Sequence, residues 1–215
     1  MVSARQTVVV LVLGVLLAAG VGLRLYSDGA RTPELGFWFD GVTYGSREPM
    51  AERLGGPLTS DDLARIEHSA RREIVSAFSG LDVIVTDRRD AEYVVRVSQT
   101  LSNLRAPRYP GPAGASRSLP GFGGQGAVNF RQAVSSAVAF APSAVDRSAL
   151  LEAIGRGIGR TAVHEFAHQL LGSAPIDGTE DRSSYEYRAA DRAEHFYGTL
   201  HWAGAWPLLL ERFGP

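Results

Sequence analysis

One short segment of the chain contains three residues whose types and spacing suit a catalytic metal site. In residues 161–172, TAVHEFAHQLLG, His164 and His168 lie four positions apart, and Glu165 directly follows the first histidine. Residues four apart lie on one face of a helix, so both imidazoles can reach the same zinc ion at nitrogen–zinc distances of about 2 Å. The segment therefore predicts a Zn2+ site with His164 and His168 as ligands.

Glu165 is predicted to act as a general base rather than as a ligand. Because it lies one residue along the helix from His164, its side chain leans to the side of the metal. A metal ion lowers the pKa of a bound water from about 15.7 to about 7, and a neighbouring carboxylate can then take the proton and pass it on. A catalytic zinc normally has three protein ligands, so the chain must supply a third outside this motif.

A long helix is predicted to position the motif. Its helical pattern starts near Ser143 or Asp146 and continues to Leu171, and Gly172 suits a helix C-terminus. The motif on this helix is flanked by the apolar residues Val163, Phe166, Leu170 and Leu171.

Glycines inside this predicted helix need a packing reason. They stand at positions 155, 157 and 159, and each costs about 1 kcal/mol relative to alanine in a helix interior. Gly157 and Thr161 share one helical stripe with His164 and His168. Small residues on that stripe predict that a strand or loop passes close beneath the two histidines.

The remaining sequence predicts the elements around this helix. An earlier helix follows an N-cap at Thr59 or Ser60 and ends by Gly80. β-Prone residues predict strands within residues 36–45, 81–87, 91–100 and 127–130. The Gly- and Pro-rich residues 105–126 are predicted to be a long loop, and residues 191–214 to be helical with a break or kink at Pro207.

The composition excludes several function classes. The formal net charge is −1 over 215 residues, so the chain has no overall basic field of the kind that binds nucleic acid. It contains no cysteine, which excludes disulfides, a cysteine nucleophile and cysteine-ligated zinc.

The N-terminus has the pattern of a membrane or export segment. An apolar run between two arginines extends from Thr7 to Leu23, long enough for a short transmembrane helix or the core of a signal peptide. We predict a signal-anchor or signal peptide over residues 1–25, a tether over 26–36 and a catalytic domain over 37–215. The domain would then be membrane-anchored and extracytoplasmic through this helix, or secreted if the segment is cleaved.

The motif and the order of elements before it resemble the zincin superfamily of metallopeptidases. The likeness depends on HEFAH and covers about residues 58–187. It implies an α+β, zincin-like domain in which a small twisted sheet packs on a long active-site helix, next to the N-terminal apolar helix. The metzincin extension of the motif is missing, because Leu171 replaces its glycine and Ala174 its third histidine. Peptide deformylases use an upstream cysteine ligand, which this chain lacks.

The aspzincin subgroup implies one choice for the third ligand. Its G-T-x-D-x-x-Y-G signature resembles GTEDRSSYEY at residues 178–187. The likeness implies Asp181 as the ligand, and Tyr185 or Tyr187 as the tyrosine that stabilises the transition state. The match is imperfect, since Tyr185 comes one residue late and no glycine follows it.

The gluzincin subgroup implies a different ligand, a glutamate on a later helix. Glu186 lies eighteen residues after His168 and is the candidate of this type. We rank Asp181 first, Glu186 second, Asp177 third and His195 fourth.

The function that this likeness implies is a zinc-dependent peptidase that acts on a protein or peptide substrate. Metal-activated water would attack the peptide bond with Glu165 as general base, and the loop 105–126 with the strand at 127–130 would form the upper rim of the site. Two alternatives stay open: a non-catalytic zincin-like binding domain at the cell surface, and a metal-dependent amidase with a non-peptide substrate. The intact Glu165 argues against the first.

Overall fold

A five-stranded mixed sheet and five helices make up the part of the chain that this computed structural model describes, residues 32–101, 112–118, 123–172 and 176–215. The strands are β1 (Glu34–Phe39), β2 (Ile84–Thr86), β3 (Tyr93–Ser98), β4 (Gly114–Ser118) and β5 (Gly124–Asn129). The helices are α1 (Ser60–Ala77), α2 (Phe130–Ala139), α3 (Arg147–Leu171), α4 (Ala193–Tyr197) and α5 (Ala205–Phe213). The predicted α+β class is confirmed.

The predicted N-terminal segment over residues 1–25 lies outside the described residues, as does most of the tether. No helix within the described ranges is both long and apolar enough to cross a membrane. Strand β1 begins inside the predicted tether, two residues ahead of the predicted first strand at residue 36.

The sheet has the strand order β2-β1-β3-β5-β4. Strands β2, β1, β3 and β5 run parallel to one another. Strand β4 pairs antiparallel with β5 at the edge, from Gly114 opposite Val128 to Ser118 opposite Gly124. The prediction of a continuous loop over residues 105–126 was wrong for β4. The strand has the sequence GASRS, which has no large apolar side chains, so its pairing depends on the backbone and leaves no alternating hydrophobic pattern.

The first helix was predicted correctly from its cap. Thr59 accepts a hydrogen bond from the backbone N–H of Asp62 (3.2 Å), and the Asp62 carboxylate accepts one from the backbone N–H of Thr59 (2.9 Å). This reciprocal capping box fixes the start of α1. Ile66, Ala70 and Ile74 form its buried face, and α1 packs along α3.

The second predicted helix is α3. It packs both on strands β3, β4 and β5 and on helix α1. Its N-cap is Asp146, which accepts a hydrogen bond from the N–H of Ala149 (2.8 Å), and it ends at Gly172 with a φ of 78°. Both ends agree with the prediction. Because α3 is covered on several sides, its sequence has little polar face.

The glycines of α3 allow close packing on two sides. A Cβ at Gly159 would lie 2.6 Å from the carbonyl oxygen of Ala70, and one at Gly155 would overlap the carbonyl oxygen of Ile66, so both glycines permit the approach of α1. A Cβ at Gly157 would overlap the ring of Phe196 in α4. The predicted close approach is therefore present: α4 makes it at Gly157, and strand β4 passes close to Thr161 on the same stripe.

The C-terminal part differs from its prediction. Residues 191–214 contain two separate helices, α4 and α5, instead of one helical run with a break at Pro207. Pro207 does not interrupt α5, because it lies in the first turn, where backbone N–H groups have no partner within the helix. Helix α2 had no counterpart in the prediction.

Candidate metal centre

The C-terminal half of α3 and the segment after it bring three possible ligands together. The Nε2 atoms of His164 and His168 are 3.1 Å apart. Asp177 places Oδ1 3.1 Å from Nε2 of His164 and Oδ2 3.4 Å from Nε2 of His168. Within the described ranges, these three residues form the one cluster of histidine and acidic side chains that could hold a metal ion.

The spacing of the three groups fits zinc. Bonds of about 2.0–2.1 Å at tetrahedral angles separate two ligand atoms by about 3.3 Å, and the ligand atoms here are separated by 3.1 to 3.4 Å. Two imidazoles and one carboxylate also form a donor set that Zn2+ favours. The residues present therefore fit a zinc ion.

The backbone at Asp177 has an unusual conformation. Its φ is 69°, the one positive φ of a non-glycine residue in the described ranges. Its N–H donates to the carbonyl oxygen of Glu186 (3.2 Å), which holds this left-handed turn in place. Aspartate tolerates such a conformation better than most residues, so the turn can direct the carboxylate at the histidines.

A backbone carbonyl fixes the orientation of His164. Its Nδ1 lies 2.8 Å from the carbonyl oxygen of Tyr185 and donates a proton to it, because a carbonyl only accepts. In the neutral ring Nε2 then carries the lone pair, and Nε2 is the atom that faces His168 and Asp177. This is the outer-sphere contact that commonly orients a metal-binding histidine.

The carboxylates around His164 favour positive charge at this point. Burial lowers the pKa of His164, but the hydrogen bond to Asp177 and the charge of Glu165 outweigh burial, so that the net pKa is raised. The pKa of His168 is lowered, first by burial and then by the charge of His164. The hydrogen bond with His164 lowers the pKa of Asp177, and nearby positive charges, that of Arg188 among them, add to this effect.

Glu165 is buried under the edge strand β4. Only 5% of the residue is exposed, and burial raises the pKa of its carboxyl, against the smaller lowering effects of His164 and of a hydrogen bond with Ser116. At Gly114 a Cβ would overlap Oε1 of Glu165 and lie 2.7 Å from the methyl group of Thr161. A glycine is therefore needed where β4 crosses the helix. A raised carboxyl pKa suits a general base that works near neutral pH.

An open cleft of about 350 Å³ lies in front of these groups. One wall is the start of β4 and the residues before it, and the other is the irregular segment that follows Asp177. The described residues that line it are Pro112, Ala113, Gly114, Ala115, Ser116, Thr161, His164, Glu165, His168, Asp177, Tyr185, Tyr187, Arg188, Ala190 and His195.

Of the two predicted catalytic tyrosines, one is occupied elsewhere. The Tyr185 hydroxyl donates to Oε1 of Glu73 (2.9 Å), and burial with the charge of Glu73 raises its pKa. Tyr185 thus contributes its carbonyl to His164 rather than its hydroxyl to the cleft. Tyr187 also lines the cleft, and its ring lies 4.7 Å from the guanidinium of Arg192.

The structure does not bring Asp181, the preferred third ligand, to the histidines. Its Oδ1 accepts a hydrogen bond from the N–H of Ser183 (2.8 Å), and its Oδ2 lies 2.9 Å from Nε2 of His201. These contacts fold the turn at residues 181–184 and pair the carboxylate away from the cleft. Asp177, four residues earlier, is the carboxylate that lies against the two histidines instead.

Glu186, the second candidate, is a helix cap. Its carboxylate accepts hydrogen bonds from the N–H groups of Ala203 (3.2 Å), Gly204 (2.9 Å) and Ala205 (2.6 Å) at the start of α5. The positive end of the helix dipole explains why a buried carboxylate is stable there. Glu186 is therefore fixed away from the two histidines.

His195, the fourth candidate, is buried beside α3. Its Nε2 donates to the carbonyl oxygen of Gly157 (2.9 Å) and lies 3.1 Å from the hydroxyl of Thr161. Burial, with the charges of Arg192 and Arg160, holds its pKa well below the usual range. It is a neutral wall residue of the cleft and does not join the cluster of possible ligands.

Several residues of the site carried no signal in the sequence. Gly114 and Ser116 lie in a Gly- and Pro-rich stretch that was predicted to be a loop. Arg188 follows the tyrosine pair and belongs to no motif that we recognised. The fold places Gly114 and Ser116 beside Glu165, and all three residues line the cleft.

No protein-family model matches the chain, and no curated protein matches its sequence. The case for a function therefore depends on the residues and geometry of the chain itself.

Proposed function

We propose that the protein is a zinc-dependent hydrolase that cleaves peptide bonds, with His164, His168 and Asp177 as metal ligands and Glu165 as general base. The observation that carries the proposal is the grouping of three ligand atoms at 3.1 to 3.4 Å beside a buried glutamate at an open cleft. The likeness of the motif to zincins supports it.

The chemistry is divided between the metal and the chain. A bound zinc ion supplies Lewis acidity, which acidifies water and polarises a carbonyl. Glu165 accepts a proton from the attacking water and delivers it to the leaving amine. The carbonyl of Tyr185 holds the ring of His164 in its orientation. Tyr187 is the tyrosine that we assign to stabilising the oxyanion, since the hydroxyl of Tyr185 is bonded to Glu73.

The edge of the sheet supports a peptide as the substrate. Strand β4 lines the cleft and pairs with β5 along one side only, within the described sheet. An extended peptide can add to such an edge through main-chain hydrogen bonds. The strand predicted at residues 127–130 was expected at the upper rim of the site, but three of those residues belong to β5, which is covered on both sides by β3 and β4.

The test is metal analysis and proteolysis with matched variants. We expect the purified protein to bind about one zinc ion per chain and to cleave an unstructured protein, and chelation followed by zinc addition to remove and restore cleavage. Glu165→Gln should keep zinc and lose at least about 100-fold of the rate, as for a positioned acid–base group. Glu180→Gln, an exposed glutamate outside the cleft lining, is the control.

Two results would refute the proposal. One is a native protein that binds no zinc, and the other is a Glu165→Gln variant that cleaves as fast as the native protein. Cleavage of small amides without any cleavage of peptides would move the substrate to the non-peptide class.

A further inference from the structure

Arg188 is an exposed side chain on the wall of the cleft, next to Tyr187. It forms no hydrogen bond or ion pair with the part of the chain that the structure describes. Its charge acts on Asp177, where it contributes to the lowered pKa of that carboxyl. The guanidinium therefore lies near the proposed metal centre, with donors that no described residue uses.

The charges of the cleft set Arg188 apart. The wall formed by residues 112–116 is small and uncharged, and the opposite wall contributes tyrosine and alanine side chains. The carboxylates of the described lining, Glu165 and Asp177, both belong to the proposed reaction centre. Outside that centre, Arg188 is the one residue of the described lining that carries a formal charge.

Neighbouring arginines are already engaged in the fold. Arg192 donates to the carbonyl oxygens of Arg182 (2.7 Å) and Ser184 (3.0 Å), and Arg182 lies 3.6 Å from the carboxylate of Glu194. Arg188 has no comparable structural partner among the described residues. A guanidinium with free donors is well suited to bind a carboxylate through two parallel hydrogen bonds.

Building on the peptidase function proposed above, we propose that Arg188 selects substrates that carry a carboxylate close to the scissile bond. The carboxylate can come from an aspartate or glutamate side chain or from a free C-terminus, and both offer the same planar pair of oxygens. The site would then cut next to acidic residues or near the end of a chain.

The experiment compares matched peptides that differ only in charge. One pair has glutamate or glutamine beside the scissile bond, each with an amidated C-terminus, and a second pair has a free or an amidated C-terminus beside that bond. For the native protein we expect kcat/KM about fivefold higher for the charged member of at least one pair, the size expected for a partly exposed ion pair. Which pair responds identifies the source of the carboxylate, and the ratio should shrink as salt is raised.

Variants assign the preference to Arg188. Arg188→Gln should reduce the ratio of kcat/KM between charged and uncharged peptides to about one. Arg188→Glu should make the glutamate peptide the poorer substrate and favour a peptide with lysine at the same position. Arg182→Gln is the matched control, an exposed arginine outside the cleft lining, and should keep the native ratio.

Binding to an inactive protein separates this inference from the proposed reaction. In the Glu165→Gln variant the affinity for the glutamate peptide, measured by fluorescence anisotropy, should exceed that for the glutamine peptide and lose this excess when Arg188→Gln is added. If the native protein cleaves nothing while this binding difference persists, the reaction is refuted and the carboxylate site stands. Equal rates for all peptides with the native protein, or an equal loss on all peptides with Arg188→Gln, would overturn the inference.

Discussion

The two parts of the metal centre are held in place by different means. The histidines and Glu165 lie on α3, a regular helix whose position is set by packing against the sheet and α1. Asp177 lies in the segment 176–192, which contains no regular helix or strand and is held by side chains bonded to backbone groups. Glu186 and Arg192 each bind several such groups.

Helix α3 also holds the short helix α4, which follows the irregular segment. Arg160 is 5% exposed, and its guanidinium donates to the carbonyl oxygens of Glu194 (2.9 Å), His195 (3.1 Å) and Gly198 (2.9 Å), while its Nε binds Glu73 (2.8 Å). Together with the hydrogen bond from His164 to the carbonyl oxygen of Tyr185, these contacts connect both the irregular segment and α4 to the regular helix α3. Removing only one partner of such a contact is costly, because the other partner is left buried without a hydrogen bond.

The largest expected effect concerns the ligand that the irregular segment supplies. Asp177→Asn should weaken zinc binding at least about 100-fold, because it removes a charged ligand, and losses of 10- to 100-fold are already typical of outer-sphere changes. Asp181→Asn should leave the zinc affinity within about twofold of the native value, because that carboxylate contacts Ser183 and His201 instead. Competition with a chromophoric chelator measures both constants. The opposite ranking of the two variants would return the ligand role to Asp181.

The second prediction compares the caps of the two regions. Glu186→Gln should lower the free energy of unfolding by about 2 kcal/mol, because three N–H groups lose a buried charged acceptor. Asp146→Ala, at the exposed start of α3, removes the acceptor of the cap hydrogen bond from the N–H of Ala149 and should cost about 1 kcal/mol. Denaturant unfolding of the metal-free proteins gives both values. A smaller loss for Glu186→Gln would contradict the view that side-chain caps hold the irregular segment.

The effect that is smallest at neutral pH is a pH dependence from His195, which lies where the two regions meet. Its folded-state pKa is well below the usual value, while the unfolded chain has a histidine pKa of about 6.5. The unfolded state therefore binds more protons as the pH falls below about 6.5, and the native state loses stability by up to about 1.4 kcal/mol per pH unit. Above about pH 6.5 His195 is neutral in both the native and the unfolded state, so its contribution to stability does not change with pH.

The measurement is the difference in unfolding free energy between the native protein and His195→Gln from pH 7.5 to 5. Taking the difference cancels the titration of His164 and His168, as long as the substitution leaves their surroundings unchanged. We expect the native protein to lose stability faster than the variant as the pH falls. Parallel curves would mean that His195 is not held neutral in the fold.

What could be predicted from the sequence follows the same division. The bounds of α1 and α3 depend on caps and periodicity, which are local. Thr59 and Asp146 were therefore each one of two predicted starting points, and Gly172 was the predicted end of α3. The metal pair depends on the four-residue spacing along one helix face, and the structure places both histidines together as that spacing requires.

The irregular segment could not be predicted in the same way. The choice between Asp177 and Asp181 depends on a left-handed turn at Asp177 and on the binding of Glu186 to α5, nearly twenty residues further along the chain. A motif comparison uses only the spacing of acids, and here it favoured Asp181, whereas the structure brings Asp177 to the two histidines. Strand β4 was missed for a related reason, since backbone pairing at a sheet edge sets few demands on side chains.

Strand β4 connects the edge of the described sheet to Glu165. The same five residues form that edge and cover Glu165, with Gly114 against its carboxylate and Ser116 bonded to it. Under the proposed function, a peptide paired along β4 would steady the strand, and with it the immediate surroundings of the proposed general base. Interactions made far from the cut bond would then contribute to the rate of the chemical step, so that truncating a peptide would lower its turnover number together with its affinity.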